Sequence, residues 1–536
     1  MQQWEGTQMA PPRGFLRMCR RNMRHAKAAD STGAQVNGAG LLMRSLLLRR
    51  VLRRDILADD ETYVGVLLPP SVGGLVVNVA LALDRRIAAN LNYTMSSEVI
   101  NLCIAEAGIR RILTSRRVME RFPLSVDAER IFLDDVREKI TAADKLAAAA
   151  QTWLWPVSRL EHQLHLASIK PDDVIAVIFT SGSTGDPKGV LLTHHNVATN
   201  VEAFSDVLHF DWDDVLLGTL PLFHSFGYTT TLWSAALLDS KVVYHYNPLD
   251  YRQVGSLCRD HRATLLVSTA TFLRTYLRGC PADDFATLQL IITGAEKLPR
   301  DLADAFERKF HVRPYEGYGT TELSPVVSTN VPPNRLAPGE PRADKLGTVG
   351  KPIAGVFAKV VDPETGEDLG IDKPGMLLIS GDNVMKGYLG QPEETAAVMR
   401  DGWYVTGDLA QIDAEGYISI TGRQSRFSKI GGEMVPHLRI EEELTRLLAA
   451  DEGELCLVVT SVPDHRKGER LIVLHTGLSM PPEQVSRELA AAGLPPIWIP
   501  SPDSFYQIPS IPVLGTGKPD LRRVRQVAEE KCVVRE

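Results

Sequence analysis

The chain has 536 residues, 44% of them hydrophobic and 23% charged, with a formal net charge of −7. This is the composition of a globular protein with a sizeable core, and its length allows two to four structural units. The acidic balance excludes bulk nucleic-acid binding, which calls for a basic domain or stripe.

The charge is uneven. Residues 1–58 carry eleven Lys/Arg against three Asp/Glu, a local excess of +8. Such a segment is either a basic face for anionic lipid or an acidic protein partner, or a solvated helix with surplus arginine. His25 and Asp30 have the H-x-x-x-x-D spacing of glycerolipid acyltransferases. Too little apolar sequence surrounds them to build a pocket, so the spacing is read as coincidence. Residues 63–83 are uncharged and long enough to raise the question of a membrane span. Pro69-Pro70-Ser71 and Gly73-Gly74 interrupt them, so a buried strand over 63–68 and a helix over 75–83 are expected.

Residues 137–167 are alanine-rich and helical in pattern, with Trp153 and Trp155. A tryptophan pair beside basic residues suits peripheral contact with the inner face of a membrane; core or loop packing is the alternative. The six cysteines are scattered, with no C-x-x-C pair and no zinc-like spacing. They fit the reduced thiols of a cytoplasmic protein. The start of the chain lacks an apolar h-region, so no secretory leader is expected.

Further along, 174–179 reads as a buried strand, 194–204 as a helix, and 264–268, 288–293 and 314–318 as short buried strands between helices. This order predicts an α/β fold of layered subdomains. From about 347 to 422, glycines and short alternating runs predict a small β-rich subdomain. Beyond 423 a helix near 439–449 and a strand near 455–460 predict a small, mobile α+β domain. The expected division is 1–422 and 423–536.

The most informative segment follows the strand at 174–179: Thr180-Ser181-Gly182-Ser183-Thr184-Gly185-Asp186-Pro187-Lys188-Gly189. Glycines let backbone N–H groups close around an anion, hydroxyls add donors and Lys188 adds charge. The G-x-x-x-x-G-K-[ST] spacing cannot be matched, so this is a phosphate loop of another kind. It resembles the signature of the adenylate-forming superfamily of acyl-CoA synthetases, luciferases and peptide-synthetase adenylation domains. The other family motifs follow in order: Pro221-Leu222-Phe223-His224-Ser225-Phe226-Gly227, Thr293-Gly294-Ala295-Glu296, Tyr315-Glu316-Gly317-Tyr318-Gly319-Thr320-Thr321-Glu322, Tyr404-Val405-Thr406-Gly407-Asp408, Gly422-Arg423 and Gly515-Thr516-Gly517-Lys518.

The resemblance implies ATP and Mg²⁺ as cofactors and a carboxylic acid, most of all a fatty acid, activated as its acyl-AMP. Glu322 is a hard oxygen ligand for Mg²⁺, with Thr184 and Thr321 as hydroxyl neighbours. Tyr318 offers a ring to adenine, with Gly294, Ala295, Glu296, Glu316, Gly317, Gly319 and Thr320 around it. Asp408 and Arg423 suit the ribose. Lys518 suits the charge shared between carboxylate and α-phosphate. His224, Phe226, Gly227 and Trp233 are expected to wall the acyl pocket. After a rotation of the C-terminal domain about the hinge at Ser425, Lys429 is expected to replace Lys518 at the site. Ser425 stands where the family usually has Lys or Asp.

Among subfamilies the likeness is greatest to acyl-acyl-carrier-protein synthetases, the ligase half of bacterial 2-acylglycerophosphoethanolamine acyltransferase/synthetase proteins. The residues behind this are Asn92-Tyr93-Thr94, Leu220-Pro221-Leu222-Phe223-His224-Ser225-Phe226-Gly227, Glu316-Gly317-Tyr318-Gly319, Arg426-Phe427-Ser428-Lys429-Ile430-Gly431-Gly432-Glu433-Met434-Val435 and Gly515-Thr516-Gly517-Lys518-Pro519-Asp520. The implied acceptor is holo acyl-carrier protein. A medium- or long-chain acyl-CoA synthetase using CoA is the alternative, and a catalytically dead nucleotide-binding regulator is the alternative of another class.

Overall fold

The structure, a computed structural model, describes residues 9–180, 187–423, 426–430, 433–448, 456–464, 468–513 and 519–533. Two large sheets form the body. The first runs Gly387–Tyr388, Lys188–Thr193, Val174–Thr180, Ile87–Asn90, Tyr63–Val66, Arg111–Thr114, Glu129–Phe132. The second runs Lys351–Pro352, Val326–Thr329, Pro314–Gly319, Leu290–Thr293, Leu265–Ser268, Val215–Gly218, Lys241–Tyr244, Ala26–Asp30, Gln35–Asn37. Their central strands are parallel and fully buried, which is why they read as unbroken apolar runs. The main core draws on both sheets, joining Ile175 and Ile178 to Leu265 and Leu290.

The uncharged stretch resolves as the strand Tyr63–Val66 and the helix Val72–Leu83. The Ser71 hydroxyl accepts from Gly74 N, and Asp30 Oδ2 accepts from Val72 N, so Asp30 caps this helix. Among the described residues no helix is long and apolar enough to cross a membrane. The helix His194–Val207 starts from a Thr193–Asn196 capping box, and Asn196 also donates to the carbonyls of Asp382 and Val384.

A third sheet of Val356–Val361, Gly375–Gly381, Trp403–Ile412, Met399–Arg400 and Ile418–Arg423 lies beside the body. Not every strand of that stretch belongs to it: Lys351–Pro352 and Gly387–Tyr388 are edge strands of the two large sheets. From Phe427 onward the strands pair in a fourth sheet, covered by the helices His437–Leu447, Pro482–Ala491 and Leu521–Val533. The cysteines are unpaired, and four of the six are buried.

The basic start of the chain is not a free arm. Nine of its eleven cations are held within the chain: Arg13 and Arg17 by Glu161, Arg21 by Asp239, Arg49 and Arg53 by Asp84, Arg50 and Arg54 by Asp144, and Arg20 and Lys27 by backbone carbonyls. The tryptophans at 153 and 155 are not an exposed pair either. Trp153 is 56% exposed, whereas Trp155 packs against the main core under the Arg159 guanidinium.

Candidate functional site

One continuous cleft of about 3200 Å³ is lined by the large sheets, the third sheet and the helix His437–Leu447. Every described site candidate except Trp233 borders it. Ser181, Gly182, Ser183, Thr184, Gly185, Ser425 and Lys518 lie outside the described residues, as does the side chain of Lys429. The two ends of the phosphate loop are nevertheless fixed, because Thr180 and Lys188 face each other across paired antiparallel strands. Pro519 and Asp520, which follow Lys518, border the cleft.

The polar end is organised around Asp408. Arg423 Nε donates to Asp408 Oδ1 at 2.7 Å, and the Tyr318 hydroxyl donates to Oδ2. Three separate segments thus meet at one buried carboxylate. The strand pairing sets Asp408 opposite Arg423, and Gly407, at φ +73°, supplies the turn that aims the carboxylate. Asp408 N donates to the Thr406 hydroxyl, which in turn donates to Leu377 O. Burial, and then the Asp408 charge, holds the Tyr318 phenol well above its ordinary value, so it stays a donor.

Nearby, the Tyr388 hydroxyl donates to Glu322 Oε1 at 3.0 Å, and Lys188 Nζ lies 5.1 Å from the centre of the Tyr388 ring. Lys188 is ion-paired with Glu394 on the helix Pro392–Val398. The Ser225 hydroxyl donates to Thr321 Oγ1, while the Thr320 hydroxyl is buried at the cleft without a hydrogen-bond partner among the described residues. Sequence reasoning missed Tyr388 and Glu394. Tyr388 had a signal, an aromatic between Gly387 and a leucine ahead of an acidic helix start; Glu394 had none.

Two adenine-side candidates are used internally. Glu296 accepts from Thr271 N and Oγ1, capping the helix Ala270–Gly279. Glu316 accepts from Leu298 N, and burial raises its carboxyl. Ala295 holds the left-handed conformation at φ +69°, a strained position for a residue with a side chain, at the cleft wall.

The other end is apolar. Phe204, Leu208, Leu220, Val267, Phe272 and Ile292 line it. His224 and Phe226 also border the cleft, and the His224 ring packs on Phe223 at 4.6 Å. A wide π-type turn over Tyr228–Trp233 follows, in which the Thr230 and Thr231 hydroxyls donate to the carbonyls of Phe226 and Gly227. A Cβ on Gly294 would lie 3.1 Å from the Phe226 ring edge, so the bare glycine makes room for a protein side chain. Trp233 corrects the expected wall. It is fully buried in the main core, edge-on to Tyr228, because the turn rotates it away from the cleft.

Residues 16–389 match the family model described as AMP-binding enzyme. An acyl-CoA ligase of Ajellomyces capsulatus is 31% identical over 84% of this chain and 77% of its own length. A long-chain-fatty-acid–CoA ligase of Bacillus subtilis is 30% identical over 68% of this chain and 64% of its own length. The crystal structure of ATP-bound MatB from Rhodopseudomonas palustris, 24% identical, superposes with a TM-score of 0.76 over 97% of this chain and 99% of that one, a likeness of fold.

Proposed function

The chain belongs to the AMP-binding enzyme family of AMP-forming acid–thiol ligases, and we propose that it joins a fatty acid to the thiol of coenzyme A. The observation that carries this reading is the single cleft with a polar end built on Asp408 and an apolar end lined by Phe204, Leu208 and Phe272. In the first step a carboxylate oxygen attacks the α-phosphorus of ATP and pyrophosphate leaves. In the second a thiolate attacks the acyl carbon and AMP leaves. Both steps ask mainly for alignment of anions and stabilisation of charge.

Asp408 accepts the ribose hydroxyls, with Arg423 fixing its orientation. Tyr318 lies along the base. Lys188 exchanges Glu394 for phosphate oxygens when nucleotide enters. Glu322, half-buried and held by Tyr388, is a hard oxygen donor that fits Mg²⁺. Bound there, the ion neutralises phosphate charge. Thr184 is its hydroxyl neighbour and Lys518 the cation at the reacting carboxylate. Pro519 at the cleft supports that role for Lys518. Lys429 takes its place in the second step, after rotation about Ser425 at the 422/423 division. A fatty acid is favoured by the apolar end and by the likeness to a long-chain-fatty-acid–CoA ligase. Coenzyme A is favoured over carrier protein by the names of the relatives and by Arg117 and Arg121, cations that border the same cleft beside Tyr246. A cytoplasmic location fits both partners.

The test is incubation with ATP, Mg²⁺ and palmitate, adding CoA or holo acyl-carrier protein in separate tubes, with products followed by mass spectrometry. Palmitoyl-CoA with AMP is the expected result. Product on the carrier protein alone moves the acceptor assignment. AMP formed with aryl acids and not with fatty acids sinks the fatty-acid reading. No AMP with any acid leaves a nucleotide-binding regulator.

A further inference from the structure

The helix Ala142–Trp153 is inside out. Three of its four polar side chains face the protein: Asp144 and Thr152 are fully buried and Gln151 nearly so, while Lys145 is exposed. Asp144 receives Arg50 and Arg54 from the helix Gly38–Asp55, and Gln151 donates to Gln163. Arg20, from the helix Pro11–Arg21, donates to the carbonyls of Gln151, Thr152 and Trp155 and so satisfies the helix C-terminus. At 3.6 residues per turn, the opposite face is Ala142, Ala143, Leu146, Ala149, Ala150 and Trp153. It turns outward, with Leu146 72% exposed, Trp153 56% and the adjoining Leu154 78%. A surface helix ordinarily shows the reverse, and an unbroken apolar stripe toward water marks a contact surface.

The charge around the stripe identifies its occupant. Lys139 and Lys145 are exposed and have no ion-pair partner among the described residues. The ion pairs made by the neighbouring helix Gly38–Asp55 are oriented alike. The guanidiniums of Arg50, Arg53 and Arg54 are 39–52% exposed while the carboxylates beneath them, Asp144 and Asp84, are 1–3% exposed. Arg159 lies over the Trp155 ring at 4.0 Å. Against these stand exposed Glu138 and Asp55, the latter already tied to Arg54. An apolar helical stripe with an indole, beside a helix whose arginines are exposed while their counter-charges are buried, is complementary to a bilayer with anionic headgroups.

We propose that this face docks the protein on anionic membranes, with Leu146, Trp153 and Leu154 entering the headgroup boundary. The surface is distinct from the cleft, so the proposal stands or falls apart from the identity of the acid. The experiment is cosedimentation with phosphatidylcholine vesicles, with and without phosphatidylglycerol, for the wild type and a Leu146→Gln/Trp153→Gln/Leu154→Ser variant. Acyl-AMP formation with a soluble acid serves as the control for folding, and light scattering gives the oligomeric state. The expected result is binding that depends on phosphatidylglycerol, weakens with salt, and falls about tenfold in the variant with acyl-AMP formation unchanged. Wild-type protein that stays in solution at low salt overturns the proposal, as does a variant that binds equally well. A dimer that the variant dissolves also overturns it, by making a second copy the occupant. Should the variant fail the folding control, quenching of wild-type fluorescence by brominated phosphatidylglycerol decides: quenching that disappears in Trp153→Phe supports insertion, and quenching unaltered by that change refutes it.

Discussion

At one end of the cleft, the side chains around Asp408 and Glu322 are held by directional bonds to other segments. Tyr318, Thr406 and Arg423 come from different strands and meet around Asp408, and Tyr388 reaches across to Glu322. At the other end, Phe204, Leu208, Val267 and Phe272 meet by packing alone. Directional bonds fix angle as well as distance, so the polar end suits a ligand of fixed shape such as a nucleotide. Packing contacts tolerate exchange of volume, so the apolar end suits a ligand whose length varies. The difference implies that substitutions at the polar end remove rate for every acid, whereas those at the apolar end redistribute preference among acids.

The largest expected effect tests the polar end at the residue assigned to the reacting atoms. Lys518→Ala is expected to slow acyl-AMP formation by about 10²–10³-fold, the usual loss for one preorganised charge. Thioester formation from supplied acyl-AMP is expected to continue, because Lys429 serves that step. Pyrophosphate exchange and single-turnover transfer read the two steps separately. Equal loss in both ends the two-conformation reading.

Next comes the hub. Asp408→Asn keeps the shape and removes the charge that Arg423 and Tyr318 share. A loss of about 10–100-fold in kcat/KM for ATP is expected, since hydrogen bonds to a charged group are worth about 1.5–3 kcal/mol each. The loss is expected to be the same with acids of any length. A loss that varied with the acid would mean that the two ends are not separable.

The polar end was legible in the sequence because its chemistry is carried by residue types that seldom cluster by accident, such as glycine and hydroxyls beside one lysine. The same holds for the parallel strands, whose burial on both faces leaves an unbroken apolar run. The apolar end was less legible. Phe226 and Trp233 are seven residues apart, and sequence gave them one role, yet the wide turn between them sends Phe226 to the cleft and Trp233 into the core. A turn that departs from helical period cannot be read from a pattern that assumes the period. The helix Ala142–Trp153 was legible as a helix, but which face it buries was not. Its inward face is polar because Arg50, Arg54 and Arg20 arrive from distant segments, and local periodicity carries no record of them. The excess of arginine before residue 58 was visible, but its buried partners Asp144, Asp84 and Glu161 lie between 31 and 148 positions away in sequence.

The smallest expected effect addresses the apolar end, at Gly294. A Cβ there would stand 3.1–3.2 Å from Cε1 and Cζ of Phe226, tighter than ordinary contact but short of a clash. The ring is half-buried and borders open volume, so it yields by moving into the cleft rather than by disturbing the strands behind it. Gly294→Ala is therefore expected to leave the KM for ATP unchanged. It is expected to lower kcat/KM for long acids about tenfold, the order of a single methylene-sized misfit, while short acids that never reach Phe226 are unaffected. A series of acids of increasing length, assayed by pyrophosphate exchange, locates the length at which the loss begins. That length measures how deep Phe226 stands along the chain. Should the variant lose ATP affinity instead, Gly294 faces the base, and the boundary between the two ends lies deeper than Phe226.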